Sequence, residues 1–121
     1  MNTIYIIHIL GRIFFGGYFL ISGFNHFKNH KMLTGYAASM KVPKPGSAVL
    51  VSGLLLFFGG LGVLLNIYTN LSLFLIILFL VPTTLMIHSF WKMTDANMKM
   101  SNYINFSKNV ALIGAALLLM Y

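Results

Sequence analysis

The sequence predicts an all-α integral membrane protein, a four-helix bundle with a short interfacial helix between the first and second crossings. Composition is the first reason: 59% of the chain is apolar and 7% charged, whereas a soluble domain carries about a quarter charged residues. The distribution of charge is the second. The run Ile4 to Phe24 holds a single charged side chain, Arg12, and Ser47 to Phe90 holds no Lys, Arg, Asp or Glu. Length is the third. At about 20 residues per crossing of a hydrocarbon core roughly 30 Å thick, 121 residues accommodate four crossings with short connections, in a single transmembrane domain spanning residues 1–121.

The first run starts without the positive charge of a secretory signal and shows no small-residue cleavage pattern before Asn25-His26-Phe27-Lys28, so it reads as a retained helix. Ser47 to Phe90 is too long for one crossing. Asn66-Ile67-Tyr68-Thr69-Asn70 divides it near the middle and predicts a turn between two hairpin-paired helices. The fourth run, Tyr103 to Tyr121, has Lys108 near its start and then becomes apolar and rich in small residues. Between the first two crossings, Met32, Leu33, Tyr36, Ala37 and Met40 recur at three- and four-residue spacings, which predicts a short amphipathic helix at the interface. Pro43 and Pro45 should end that segment, since proline lacks an amide donor and restricts the residue before it. Pro82 should bend the third crossing, with Thr83 or Thr84 meeting freed backbone groups.

Net charge is +7, from eight Lys or Arg against one acid, Asp95. Lys28, Lys31, Lys41 and Lys44 lie in the first connection and Lys92 and Lys99 in the third, while the termini and the hairpin turn have none. The positive-inside rule therefore puts both basic connections in the cytoplasm and both termini outside. The excess of basic charge points to anionic headgroups rather than nucleic acid, for which no binding module is present. Trp91, Tyr103 and Tyr68 fall at helix ends, where amphipathic rings anchor at headgroup depth.

Polar groups inside the membrane are costly and merit individual attention. At about 100° per residue, His8, Arg12, Phe15, Phe19, Ser22 and His26 share a narrow sector of the first helix, beside Gly16 and Gly23. Arg12 has no carboxylate in the other helices to pair with. It either snorkels to a lipid phosphate or meets a quinone carbonyl, an anionic substrate or an acid of a partner subunit. The glycines Gly11, Gly16, Gly17, Gly23, Gly53, Gly59, Gly60 and Gly62 lie inside apolar helices, where close helix approach is their expected role. At the lysine-bearing end His26, His88, Trp91, Asn105, Lys108 and Asn109 are expected at one depth. Asn105, Lys108 and Asn109 are spaced to share a helical face, and a hydrated rim without ligand is the plain alternative.

Several chemistries are disfavoured. With no cysteine, the chain has no dithiol or thiolate centre of its own. His8 and His30 do not complete a four-histidine haem arrangement with His26 and His88, so no metal site is expected. A Ser-His-Asp hydrolase lacks a buried carboxylate and a nucleophile elbow. A small cation exporter would need an intramembrane acid to couple protons.

Gly11-Arg12, Ser22-Gly23-Phe24-Asn25-His26-Phe27, Gly59-Gly60, His88-Ser89-Phe90-Trp91 and Asn105-Phe106-Ser107-Lys108-Asn109-Val110-Ala111-Leu112, in that order and nearly end to end, resemble the DoxX family of small four-helix bacterial membrane proteins. The resemblance implies a bacterial inner-membrane protein linked to quinone-dependent redox or oxidative-stress complexes. It carries no intrinsic cofactor, with a quinone as the implied ligand. Many members carry a glutamate three residues before the paired glycines, where this chain has Leu56. The acid that would accompany Arg12 is therefore absent. Two functions follow: a subunit that binds a quinone or small anionic substrate in the bundle, incomplete as an enzyme alone, or a non-catalytic partner that assembles with a redox enzyme or with further copies of itself.

Overall fold

The computed structural model describes residues 2–121, and its elements are α1 (Thr3–Lys28), α2 (His30–Ser39), α3 (Pro45–Leu65), α4 (Thr69–Met86), a 3-10 turn (Phe90–Lys92) and α5 (Ala96–Leu119). The architecture is the expected one: four long helices, with a short helix joining the first two.

Local chemistry sets the boundaries. Asn2 Oδ1 accepts the Ile4 N–H at 3.0 Å, satisfying one of the free amides that open α1. Pro45 occupies the start of α3, where its missing N–H costs nothing. At the other end of α3, Asn66 adopts the left-handed region at φ 57°. There Ile67 N–H reaches Gly62 O at 2.9 Å and Asn66 N–H reaches Val63 O at 3.2 Å, the paired bonds of a Schellman ending. The Thr69 hydroxyl then donates to Asn66 Oδ1 at 2.8 Å, closing the predicted turn.

One boundary differs from expectation. The last helix begins at Ala96, not near Tyr103, because Asp95 Oδ2 accepts the Met98 N–H at 3.0 Å and caps it. Lys108 is consequently about 18 Å into the helix at 1.5 Å per residue, well beyond its first turn.

α1 and α3 pack antiparallel with their backbones in contact. A Cβ on Gly16 would lie 2.7 Å from Leu64 N and 2.8 Å from Gly60 O; one on Gly23 would lie 2.8 Å from Phe57 Cα and 2.9 Å from Gly53 O. Glycine is required there because any side chain would wedge the helices apart. Gly59 serves α4 in the same way, with Ser72 O 2.9 Å from where its Cβ would be. Gly11 and Gly17 depart from the expected close approach: nothing lies within 4 Å of either position, since both turn away from α3.

Packing runs in the order α1, α3, α4, α5, with α2 laid against the start of α3. The core lies at Phe19, Leu56, Val63, Leu73, Ile76, Leu80 and Ala116. α1 and α5 end the series and face each other across a gap bridged by side chains. Three helices, within Thr3–Lys28, Pro45–Leu65 and Thr69–Lys92, are long and apolar enough to cross a membrane. α5 has the length, 24 residues, but its first half is polar.

Candidate functional site at the lysine-bearing end

The ends of α1 and α4, the starts of α3 and α5, and all of α2 meet at one end of the bundle, together with the lysines of both connections. A cavity of about 370 Å³ lies there, lined by His26, Tyr36, Ser52, Phe79, Thr83 and His88 among mainly aliphatic neighbours. Its size falls in the range of small-molecule sites, and a mostly apolar wall with a few polar groups is their usual make-up.

Each histidine is oriented by its own hydrogen bond. His26 Nδ1 is 2.8 Å from Ser22 O, one turn back in α1; a carbonyl only accepts, so the proton resides on Nδ1 and the neutral ring keeps its Nε2 lone pair. The ring stands edge-on to Phe79, with centroids 5.6 Å apart and planes at 83°. His88 Nδ1 is 2.9 Å from Asn102 Oδ1. Asn102 is buried, and its Nδ2 donates to Met98 O at 3.0 Å. That bond turns the amide oxygen toward His88, so the imidazole again donates from Nδ1 and retains Nε2 as acceptor. A third histidine is structural: His30 Nε2 donates to Gly46 O at 3.0 Å, clamping α2 to the start of α3 and so holding the cavity's cover in place.

Of the sequence candidates, His26 and His88 share the cavity. Arg12 does not line it: fourteen residues separate it from His26 on α1, about 21 Å along the axis, and it is half-buried. Trp91 belongs to an aromatic cluster, 5.3 Å from Phe90 and 5.7 Å from Phe106 by ring centroids. Asn105, Lys108 and Asn109 diverge. Asn109 is buried and Asn105 half-buried, whereas Lys108 is exposed and places Nζ 3.5 Å from the Tyr18 hydroxyl.

Asn102, Ser52 and Thr83 were not among the candidates. Asn102 lies seven residues before Asn109 and fourteen before Ala116, all three buried on α5. Seven residues are close to two turns, so that repeat was a usable signal once the helix was known to begin at Ala96. No cluster of three or more His, Asp or Glu side chains suited to a metal occurs among the described residues.

These features define a multi-pass helical membrane protein with a histidine-flanked cavity at its basic end. The DoxX family model matches residues 7–89, most of the chain, and the protein belongs to that family. It is also similar to the inner membrane protein YphA of Escherichia coli (strain K12), at 31% identity over 101 residues, covering 84% of this chain and 71% of that one. No solved structure matches it.

Proposed function

We propose that this protein is a membrane-embedded subunit of a quinone-linked redox or oxidative-stress system, binding a quinone or a small anionic substrate within the bundle. The observation that supports it is the pair of imidazoles, His26 and His88, each with Nδ1 engaged and Nε2 free, on one apolar cavity. The residues fit a quinone headgroup chemically. Bare Nε2 atoms accept from the hydroxyls of a reduced ring, and the hydroxyls of Tyr36, Ser52 and Thr83 donate to the carbonyls of an oxidised one. Electrons would come from another protein, since the chain has no redox centre of its own. The reading places this single transmembrane domain in a bacterial cytoplasmic membrane as a multi-pass protein, basic connections inside and both termini outside.

Equilibrium binding of a short-chain quinone to the detergent-purified protein tests this. Saturable binding, weakened about tenfold or more by His26→Ala and by His88→Ala, is expected. A folded protein that binds none defeats the quinone reading.

A second reading, a non-catalytic partner that assembles with another membrane protein, is favoured by a separate observation. Arg12 and Lys108 lie within long helices, yet the chain's one acidic side chain, Asp95, is committed to capping α5. Mild-detergent purification from native membrane, followed by mass spectrometry, separates a stoichiometric complex from a lone protein.

A further inference from the structure

Lys108 of α5 meets α1 at Tyr18, within a helix long and apolar enough to cross a membrane. Its Nζ is 3.5 Å from the Tyr18 hydroxyl and 5.9 Å from the centre of that ring. Tyr18 is four residues past Phe14, the midpoint of the apolar run Ile4–Phe24, about 6 Å along the axis and inside the hydrocarbon span. The depth follows from α1 and does not depend on α5. Both side chains are exposed and flank the gap between α1 and α5, a groove of about 470 Å³ lined otherwise by Gly11, Phe14, Phe15, Phe19 and Leu112. No neighbour lies within 4 Å of the place a Gly11 Cβ would take, so the groove floor is open to an incoming backbone.

An ammonium has three donors and no acceptor, and one donor is used on Tyr18. We infer that this groove receives a transmembrane helix of a different protein that carries an Asp or Glu within the hydrocarbon span, paired with Lys108. Charge selects the occupant. Lipid phosphates lie at the membrane surface, roughly 15 Å from the midplane. A second copy of this chain offers only Asp95, thirteen residues before Lys108, about 20 Å along α5, and already bonded to its own helix. A neutral carbonyl would leave the charge uncompensated. The inference deepens the assembly reading and is independent of the quinone reading.

The test uses the full chain in phosphatidylcholine vesicles and a synthetic Leu/Ala helix of about 21 residues with Glu or Gln at its centre. The chain has no cysteine, so a single Ser101→Cys carries the acceptor dye and the peptide the donor. The Glu helix should bind about tenfold tighter than the Gln helix, with that preference lost in Lys108→Met and kept in Lys108→Arg. Equal binding of the two peptides by the unaltered chain overturns the inference without reliance on a variant. A Glu preference that survives in Lys108→Met also overturns it, as does self-association of the chain that depends on Lys108. A native partner that co-purifies equally with Lys108→Met keeps the assembly reading and overturns this site.

Discussion

His88 donates its Nδ1 proton to Asn102 Oδ1 across 2.9 Å, joining the segment after α4 to the second turn of α5. Asn102 is 6% exposed, so its amide has few alternatives in water. Asn102→Ala should cost about 1–3 kcal/mol by leaving the imidazole donor without a partner. Nitrogen-15 spectra of the histidine rings provide a second readout: the neutral His88 ring should go from one tautomer to a mixture, while His26, held by Ser22 O, stays unchanged.

The glycine contacts between α1 and α3 make a paired prediction. A Cβ on Gly60 would lie 2.7 Å from Gly16 O and 2.9 Å from Leu20 Cα, all backbone atoms that can move only if the helices separate. Gly60→Ala should destabilise the bundle by about 1–3 kcal/mol, the usual cost of overpacking. Gly17→Ala, with nothing within 4 Å, should stay within about 0.5 kcal/mol. Thermal unfolding followed by circular dichroism in one detergent compares the two.

The antiparallel register also bears on Leu56. Gly16 faces Gly60 and Gly23 faces Gly53, so Leu56 lies near the level of Leu20 to Phe24, and Arg12 is about 15 Å farther along α1. Leu56 is 1% exposed, in the core with Phe19 and Ile76. Leu56→Glu should therefore destabilise by burying a carboxyl without drawing Arg12 to it. A double-mutant cycle with Arg12→Met should show coupling below about 0.5 kcal/mol; coupling well above that value would mean the two positions meet.

The cap on α5 can be tested separately. Asp95→Ala removes the acceptor for the Met98 N–H and should cost about 0.5–2 kcal/mol. Hydrogen exchange should accelerate first at the amides of Asn97 and Met98, with those of α1 and α3 unaffected. A uniform acceleration would show that Asp95 supports the whole bundle.

What the sequence disclosed follows from how each signal is encoded. Uninterrupted apolar runs specify crossings by solvent alone, and Asn66 marks its turn because asparagine tolerates the left-handed conformation. Both are local. The start of α5 was missed because its first turns, with Lys99, Ser101 and Asn102, are polar, and periodicity of apolar residues cannot detect a helix held by Asp95 and an aromatic cluster. His26 and His88 line one cavity, an arrangement that their expected common depth allows. Which of the eight glycines bear a neighbouring backbone was not legible, because identical Gly16 and Gly17 differ only in the side of α1 they face.

The polar first half of α5 raises the question of whether that helix crosses the membrane, and its two ends answer through their partners. Near its start, Asn102 meets His88 at the end of α4; past its last turn, Tyr121 N–H donates to Asn70 Oδ1 at 3.1 Å, at the beginning of α4. α5 therefore runs antiparallel along the whole of α4, a helix long and apolar enough to span, and at about 36 Å for its 24 residues it is long enough to do the same. Asn102, Asn109 and Ala116 face inward, so part of its polarity is shielded from lipid by the bundle. With the orientation proposed from the basic connections, single cysteines at Lys31 and Lys99 should react with an impermeant maleimide only from the cytoplasmic side, and cysteines at Thr3, Tyr68 and Tyr121 only from outside. Labelling of Tyr121→Cys from the same side as Lys99→Cys would show that α5 does not cross and would contradict its alignment with α4.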